Sequence, residues 1–255
     1  AGIDQDFKIN AEQFETAITP KTKLFIFSSP CNPTGSVYTK EELRGLADIL
    51  VKHPNIIALS DEIYEHIRFE GEHASLAQFS EIFDQVVTVN GVSKAWAMTG
   101  WRLGYIGASK QIADACNKIQ GQFTSGTSSI TQRAAIAAMD ADPGVLKEMV
   151  ETFHKRRDLV LSNLNKIPGV KCNVPTGAFY LFPDVSAYFG TKDGDQVIKD
   201  GDDLCMYLLR EGNIALVDGK GFGAPNCIRI SYAASEEQLI KAMERFTAAL
   251  AKLTR

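Results

Sequence analysis

Three short and nearly continuous apolar runs most constrain the fold of this 255-residue chain. They cover residues 24–27, 56–59 and 86–89. A strand has a nearly continuous apolar sequence when helices cover both faces of its parallel sheet, because neither side of the strand then meets water. The runs therefore predict an α/β fold built on a mainly parallel sheet.

Helical patterns lie between and after these runs. Thr39 and Glu42 have the spacing of a capping box, which marks the start of a helix. Apolar residues then recur at the i, i+3, i+4, i+7 spacing of one helix face. They are Leu43, Leu46, Ala47 and Leu50 in one segment, and Ile112, Ala115, Cys116 and Ile119 in another. We therefore expect three layers, with helices flanking the sheet.

The pattern changes in the second half of the chain. A long helix is predicted from the Asp142-Pro143-Gly144 break to about Asn165, with the charged run 154–158 as a solvent-facing surface. Strand-like runs follow at 170–174, 178–182, 213–217 and 227–232, with a helix near 204–210 and a C-terminal helix capped by Ser235. We predict two domains. Residues 1–145 form part of a large α/β domain, and 146–255 form the long helix and a smaller α+β domain.

Composition excludes several classes of function. The net charge is −4, so the chain is not a generally basic binder of nucleic acid. No apolar run reaches the length of a membrane span. The four histidines have no metal-ligand spacing, so no metal site is predicted. The cysteines are five in number and widely separated, which favours reduced thiols and a cytoplasmic location.

Polar side chains follow each apolar run, where a strand would end. Asn32 follows the first run, Asp61 and Tyr64 follow the second, and Lys94 follows the third. Ligands of open α/β sheets bind at the carboxyl ends of the strands. If the three strands are neighbours, we expect these four side chains to converge on one cleft.

Five motifs occur in the order typical of one enzyme family. They are Asn32-Pro33-Thr34-Gly35, Asp61-Glu62-Ile63-Tyr64, the lysine segment from Gly91 to Gly104, Pro175-Thr176-Gly177-Ala178-Phe179-Tyr180, and Arg229-Ile230-Ser231-Tyr232-Ala233. Together they resemble the signatures of fold-type-I, pyridoxal-phosphate-dependent aminotransferases of class I and II. The resemblance covers nearly the whole chain and is nearest to the bacterial aspartate aminotransferases.

The resemblance implies how the cofactor would be held. Lys94 would form a Schiff base with pyridoxal phosphate and later move a proton at the substrate α-carbon, which requires a partly deprotonated amine. Asp61 would pair with the pyridine nitrogen, so that the ring accepts electrons. Asn32 and Tyr64 would donate hydrogen bonds to the ring O3′.

The resemblance also implies anion-binding roles. Ser93 and Arg102 would bind the cofactor phosphate, since the planar fork of arginine matches phosphate oxygens. Arg229 would clamp the substrate α-carboxylate, with Asn32 beside it. We interpret the neighbours of the lysine, Trp96, Met98 and Trp101, as core-packing residues.

The implied activity is transfer of an amino group from an amino acid to a 2-oxo acid, with aspartate and 2-oxoglutarate as the best match. Aromatic, alanine and prephenate-type donors stay open, as does a non-catalytic effector domain of a transcriptional regulator or an inert remnant. The family implies a homodimer that shares its site. Family members begin well before Ala1, so we expect a fragment that lacks part of the phosphate-binding groups.

Overall fold

The computed structural model describes the backbone of all 255 residues and every side chain except that of Pro143. The chain divides into two compact units. The sheet unit comprises Ile9–Cys31 and Val37–Val150. The C-terminal unit comprises Ala1–Lys8, Asn32–Ser36 and Glu151–Arg255. The division into domains 1–145 and 146–255 stays a prediction.

The sheet unit contains a mixed four-stranded sheet. Its strands are β1 (Leu24–Ser28), β2 (Ile57–Asp61), β3 (Val86–Gly91) and β4 (Gly104–Gly107), in the order β1-β2-β3-β4. The first three strands pair in parallel, so the α/β prediction from the apolar runs is confirmed. Strand β4 pairs antiparallel with β3 and was not predicted, because it is four residues long, contains two glycines and is exposed throughout.

Helices flank the sheet and continue into the C-terminal unit. They are α1 (Ala11–Ala17), α2 (Lys40–Lys52), α3 (Lys110–Phe123), α4 (Ser129–Met139), α5 (Lys147–Leu164), α6 (Gly201–Glu211) and α7 (Glu236–Leu250). Short 3₁₀ helices cover Ile3–Gln5, Leu76–Gln78, Ser80–Gln85, Thr99–Trp101, Pro143–Leu146, Ser186–Tyr188 and Lys220–Phe222. No helix among the described residues combines the length and the apolar character needed to cross a bilayer.

Helix α2 begins at the predicted capping box. The backbone N–H of Thr39 donates to Glu42 Oε2 at 2.7 Å, and the N–H of Glu42 donates to Thr39 Oγ1 at 3.2 Å. These two bonds satisfy backbone donors that have no partner within the helix. The helix then buries the predicted face, including the fully buried Leu46, in a core shared with Phe14 and Ile82.

The two faces of β1 differ in their environment. The rings of Phe25 and Phe27 pack against Phe14 and Tyr38, with centroid distances of 4.3 and 5.8 Å. Ile26, which points to the opposite face, is 63% exposed. The apolar run predicted a strand covered on both sides, and that detail is wrong for β1 as described.

The C-terminal unit contains a small antiparallel sheet. Its strands are β5 (Tyr180–Leu181), β8 (Val217–Asp218) and β9 (Ile228–Ser231), in the order β5-β9-β8, and a separate hairpin pairs β6 (Lys192–Asp193) with β7 (Gln196–Val197). The predicted strand at 170–174 is reduced to one bridge, between Lys171 and Asp184. The predicted strand at 213–217 is wrong over most of its length. Asn213 adopts a left-handed φ of 52° and the Ile214 N–H bonds to Leu208 O, so these residues end helix α6 instead.

The sequence predicted that the charged run 154–158 on α5 faces solvent. That prediction is wrong for one of its residues. Arg157 is only 5% exposed and lies on the same helix face as the buried Val160, Leu161 and Leu164. Its Nη1 donates to the Pro175 carbonyl at 2.9 Å, and its Nη2 donates to Asp158 Oδ1 at 2.7 Å. Helical spacing places the charge on the buried face, and those two acceptors compensate for its loss of water.

We predict that Leu46→Ala destabilises the protein by about 2–5 kcal/mol, because it leaves a cavity in the core beneath the sheet. The matched control is Val51→Ala on the same helix, where the side chain is 47% exposed. That control should change the free energy of unfolding by no more than about 0.5 kcal/mol. Urea unfolding followed by circular dichroism measures both variants. Equal losses for the two would contradict the assignment of the core.

Candidate active site

The turn after β2 holds two of the predicted residues. Asp61 ends the strand, and its Oδ1 accepts a hydrogen bond from the Ile63 N–H at 3.1 Å. Its Oδ2 makes no hydrogen bond to the described part of the chain. The turn continues with the Ile67 N–H donating to Tyr64 O at 2.8 Å, and Tyr64 is 3% exposed. One carboxylate oxygen therefore shapes the turn, and the other is available to a ligand.

Lys94 lies beside this turn. It comes three residues after the end of β3, and its Nζ lies 5.8 Å from the centroid of the Tyr64 ring. A cation at that distance is attracted to the electron-rich face of the ring. The Tyr64 ring and the Lys94 amine therefore lie together beyond the carboxyl ends of β2 and β3, at the turn that begins with Asp61.

A compact loop links Ser93 to Arg102. The Thr99 hydroxyl donates to the Ser93 carbonyl at 2.9 Å, and Arg102 Nη1 donates to the Thr99 carbonyl at 2.9 Å. Thr99 was not predicted, although its hydroxyl within the lysine segment was a usable signal. The interpretation of Trp101 as a core residue is wrong. Its side chain is 46% exposed, because this loop leads into the exposed strand β4.

Gly91 allows the start of this loop to pass close to the next strand. It pairs with Gly104 across the antiparallel β3–β4 ladder. A Cβ atom at position 91 would lie 2.8 Å from the Leu103 carbonyl oxygen. Only glycine fits that approach of two backbones without displacing one of them.

A second group of predicted residues lies in the C-terminal unit. Arg229 and Asn32 are 197 positions apart in sequence, yet Arg229 Nη1 donates to Asn32 Oδ1 at 2.8 Å. The neighbours of Arg229 in β9, Ile228 and Ile230, are buried, so alternation turns the guanidinium to the other face of the strand. The predicted convergence of Asn32 with Asp61, Tyr64 and Lys94 stays a prediction.

Two aromatic rings flank the Arg229 guanidinium. Its central carbon lies 4.8 Å from the centroid of Tyr180 and 5.2 Å from that of Phe222. Contacts of this kind hold the planar group in place while leaving its edge N–H donors free for an anion. The sequence analysis did not predict a role for Phe222. It lies in a glycine-rich loop, and a loop sequence does not show which residue its aromatic side chain will contact.

The segment that carries Asn32 is anchored through Gly35. Gly35 has a φ of +68°, and its carbonyl accepts a hydrogen bond from the Gly177 N–H at 3.0 Å. A Cβ atom on Gly35 would overlap with Pro175 Cβ. One close backbone contact thus joins the motif that carries Asn32 to the motif that begins with Pro175.

The chemistry of the sheet-unit residues fits pyridoxal phosphate. An amine, a carboxylate and a phenol follow adjacent strands, and these match an aldehyde, a basic ring nitrogen and a ring oxygen. The serine and arginine joined through Thr99 match a phosphate. Arg229 and Asn32 in the C-terminal unit match a carboxylate, since arginine binds that group in a bidentate manner.

The chain as a whole is similar to known proteins. Residues 3–246 match the family model described as aminotransferase class I and II. The chain is 48% identical over 253 residues to the bifunctional aspartate aminotransferase and glutamate/aspartate-prephenate aminotransferase of Petunia hybrida, a match that takes in 97% of this chain and 53% of that relative.

Solved structures give the same result. The aspartate aminotransferase of Rhizobium meliloti superimposes with a TM-score of 0.95 at 41% identity, over 100% of this chain and 64% of that one. The aspartate aminotransferase of Thermus thermophilus with maleate gives a TM-score of 0.88 at 38% identity, over 98% of this chain and 62% of that one. This chain therefore spans between about half and two thirds of the length of these relatives.

We predict that Gly35→Ala costs more stability than Gly71→Ala. Both glycines have positive φ, +68° and +66°, but a Cβ atom at Gly71 meets nothing within 4 Å. Gly71→Ala should cost about 1–2 kcal/mol from backbone strain alone. Gly35→Ala should cost about 1–3 kcal/mol more from overpacking against Pro175. Urea unfolding of the two variants measures the difference, and similar losses would mean that Gly35 does not form this contact.

Proposed function

This chain belongs to the class I and II aminotransferases, and we propose that the full-length protein is a pyridoxal-phosphate-dependent aminotransferase. The observation that carries the proposal is the Lys94 amine beside the Tyr64 ring, at the turn that begins with Asp61. An amine, a buried phenol and a carboxylate at adjacent strand ends form a set that this cofactor needs. Residues with unrelated roles would have no reason to follow the same ends of two adjacent strands.

We propose that each residue has a separate task toward the cofactor. When bound, pyridoxal phosphate supplies an aldehyde that combines with amines and a ring that accepts electrons from the substrate α-carbon. Lys94 would supply the amine that holds that aldehyde, and its amine would also move a proton at the substrate α-carbon. Tyr64 and, as the family resemblance implies, Asn32 would donate hydrogen bonds to the ring oxygen.

Asp61 and the Ser93–Arg102 loop complete the cofactor-binding set. Asp61 would hold the ring nitrogen in its protonated form through Oδ2, because a carboxylate stabilises an adjacent cation. Ser93 and Arg102 bind the phosphate, and Thr99 fixes their spacing through its hydroxyl and its carbonyl. The planar guanidinium offers two parallel N–H donors to one phosphate.

Arg229 and Asn32 are proposed to bind the substrate α-carboxylate. One guanidinium nitrogen is already committed to Asn32, and the flanking rings of Tyr180 and Phe222 limit rotation of the plane. The remaining N–H donors can then meet both oxygens of a carboxylate. Because α-amino acids and 2-oxo acids share that group, one arginine serves both halves of the reaction.

We propose aspartate and 2-oxoglutarate as the substrates. The supporting observations are the names of the relatives, which include aspartate and aspartate/prephenate aminotransferases, and the solved relative with maleate, a dicarboxylate. Prephenate, aromatic and alanine-type substrates are the alternatives. The proposal of a homodimer rests on family membership, and that of a cytoplasmic location on the five free cysteines.

The direct test adds pyridoxal phosphate to the full-length protein and then supplies aspartate and 2-oxoglutarate. We expect a yellow protein that produces oxaloacetate and glutamate. Turnover with prephenate or phenylpyruvate alone would reassign the substrate. Colour without turnover across a panel of amino acids would favour the non-catalytic effector domain, and a protein that binds no cofactor would refute the proposal.

We predict that Lys94→Ala abolishes the reducible link between protein and cofactor and lowers transamination by at least about 10²–10⁴-fold, the usual contribution of a positioned acid–base group. Borohydride reduction followed by mass spectrometry of the labelled peptide locates the link. The control is Lys110→Ala, whose side chain is 86% exposed on α3. It should keep both label and activity. A label on any other lysine would disprove the assignment.

We predict that Arg229→Gln lowers kcat/KM about 10- to 100-fold for both the amino acid and the 2-oxo acid, since hydrogen bonds to charged groups contribute about 1.5–3 kcal/mol. Cofactor affinity should change little. Arg210→Gln, an exposed arginine of α6, is the control and should behave like the wild type. Steady-state kinetics with each substrate varied in turn provides the measurement. A loss confined to one substrate would show that Arg229 binds the side chain of that substrate and not the α-carboxylate that both substrates share.

A further inference from the structure

The proposed reaction leaves one buried carboxylate without a task. Glu62 follows Asp61 directly and is 3% exposed. It accepts hydrogen bonds from Ser75 Oγ at 2.6 Å, Ser60 Oγ at 2.9 Å and His73 Nε2 at 2.8 Å. Burying a carboxylate is costly unless hydrogen bonds replace its water, and here three donors do so. An apolar side chain in the same space would carry no desolvation cost, so we interpret this network as a device that orients the turn after β2.

A second carboxylate on the same turn reaches the neighbouring strand. Asn90 Nδ2 donates to Glu65 Oε1 at 2.7 Å, and Asn90 is 7% exposed. The other end of the Asn90 amide is also fixed, because its Oδ1 accepts from the Gly91 N–H at 2.8 Å. This pair of bonds defines which end of the amide is the donor and aims that donor at Glu65.

The groups around Glu65 favour its ionised form, which is a stronger acceptor for the Asn90 amide. Burial acts to raise the pKa of its carboxyl, but the hydrogen bond and charge of His66 and the hydrogen bond from Asn90 outweigh burial, so the pKa lies below its ordinary value. His73 Nε2 lies 3.8 Å from Glu65 Oε2 and so connects the two carboxylates. Glu65 is therefore an ionised acceptor near neutral pH, and its bond to Asn90 is charge-assisted.

Glu62, Glu65 and His73 also bring possible metal-ligand atoms within 4.8 Å of one another. Their hydrogen bonds to Ser60, Ser75 and Asn90 account for that proximity, and we infer no metal from it. The arrangement is better explained by the chain segments that it ties together. The Glu65–Asn90 bond joins the turn that carries Asp61 and Tyr64 to the segment that leads from β3 to Lys94. The Glu62 bonds join the same turn to residues 73–75.

We propose that Glu65 and Asn90, backed by the Glu62 hydrogen bonds, are positioning residues that set Asp61 and Tyr64 in place relative to Lys94. Glu65 is the chain neighbour of Tyr64, and Asn90 precedes Lys94 by four positions. A side-chain bond between the two segments fixes their spacing more tightly than backbone pairing alone. Small displacements of reacting groups cost large factors in rate. The inference rests on the proposed function.

The test exchanges donor and acceptor in the full-length protein. Asn90→Asp places a second carboxylate against Glu65, and we expect it to weaken pyridoxal phosphate binding by the apoprotein about 10- to 100-fold, the usual cost of a broken charged hydrogen bond. It should also shift the pH titration of the visible colour of bound cofactor. Adding Glu65→Gln restores a donor facing an acceptor with the partners exchanged, and should recover affinity and titration to within about threefold of wild type.

The controls separate positioning from mere stability. Glu70→Gln, an exposed carboxylate of the same segment, should match the wild type in every measurement. Ser75→Ala removes one Glu62 donor and provides a milder variant if Asn90→Asp fails to fold; it should weaken cofactor binding several-fold. Variants that unfold more easily but keep wild-type cofactor affinity and colour titration would overturn the positioning role. A wild type that binds no cofactor would overturn the proposed function as well.

Discussion

The parallel hydrogen bonding of β1, β2 and β3 is the constraint on which the sheet-unit site depends. Asp61 stands in register with Ser28 on one side and Val89 on the other. The pairing continues past the strand, where the Glu62 N–H donates to the Val89 carbonyl at 2.8 Å. A slip of one residue would turn each side chain to the opposite face of the sheet. The register therefore decides which side chains after β2 meet the lysine after β3.

Several buried or half-buried polar side chains in both units have hydrogen-bond partners that are distant in sequence. Arg229 bonds to Asn32 across 197 positions, Glu65 to Asn90 across 25, and Arg157 to Pro175 across 18. Each bond replaces water that a charged or amide group gives up on folding. Such bonds favour one arrangement of the segments that they join over others.

Local patterns predicted the regular elements well. The apolar runs marked three strands, and the capping box marked the start of α2 at Lys40. Strand β4 was missed because a four-residue exposed edge has no alternation to detect. The buried Arg157 was misread because a charged run suggests solvent, although its spacing to Val160 and Leu164 placed it on the buried face of α5. The strand predicted at 213–217 is largely absent, because its first residues form the turn that ends α6.

The sequence by itself determined the α/β class and the family, and it predicted residues whose chemistry suits pyridoxal phosphate, because apolar periodicity, helix caps and short motifs are properties of neighbouring residues. Only the tertiary structure decided that Asn32 bonds to Arg229, that Phe222 flanks that guanidinium, and that Glu65 and Asn90 join the turn of Tyr64 to the strand before Lys94. These contacts depend on strand register and side-chain direction, which arise when distant segments pack and which no local pattern records.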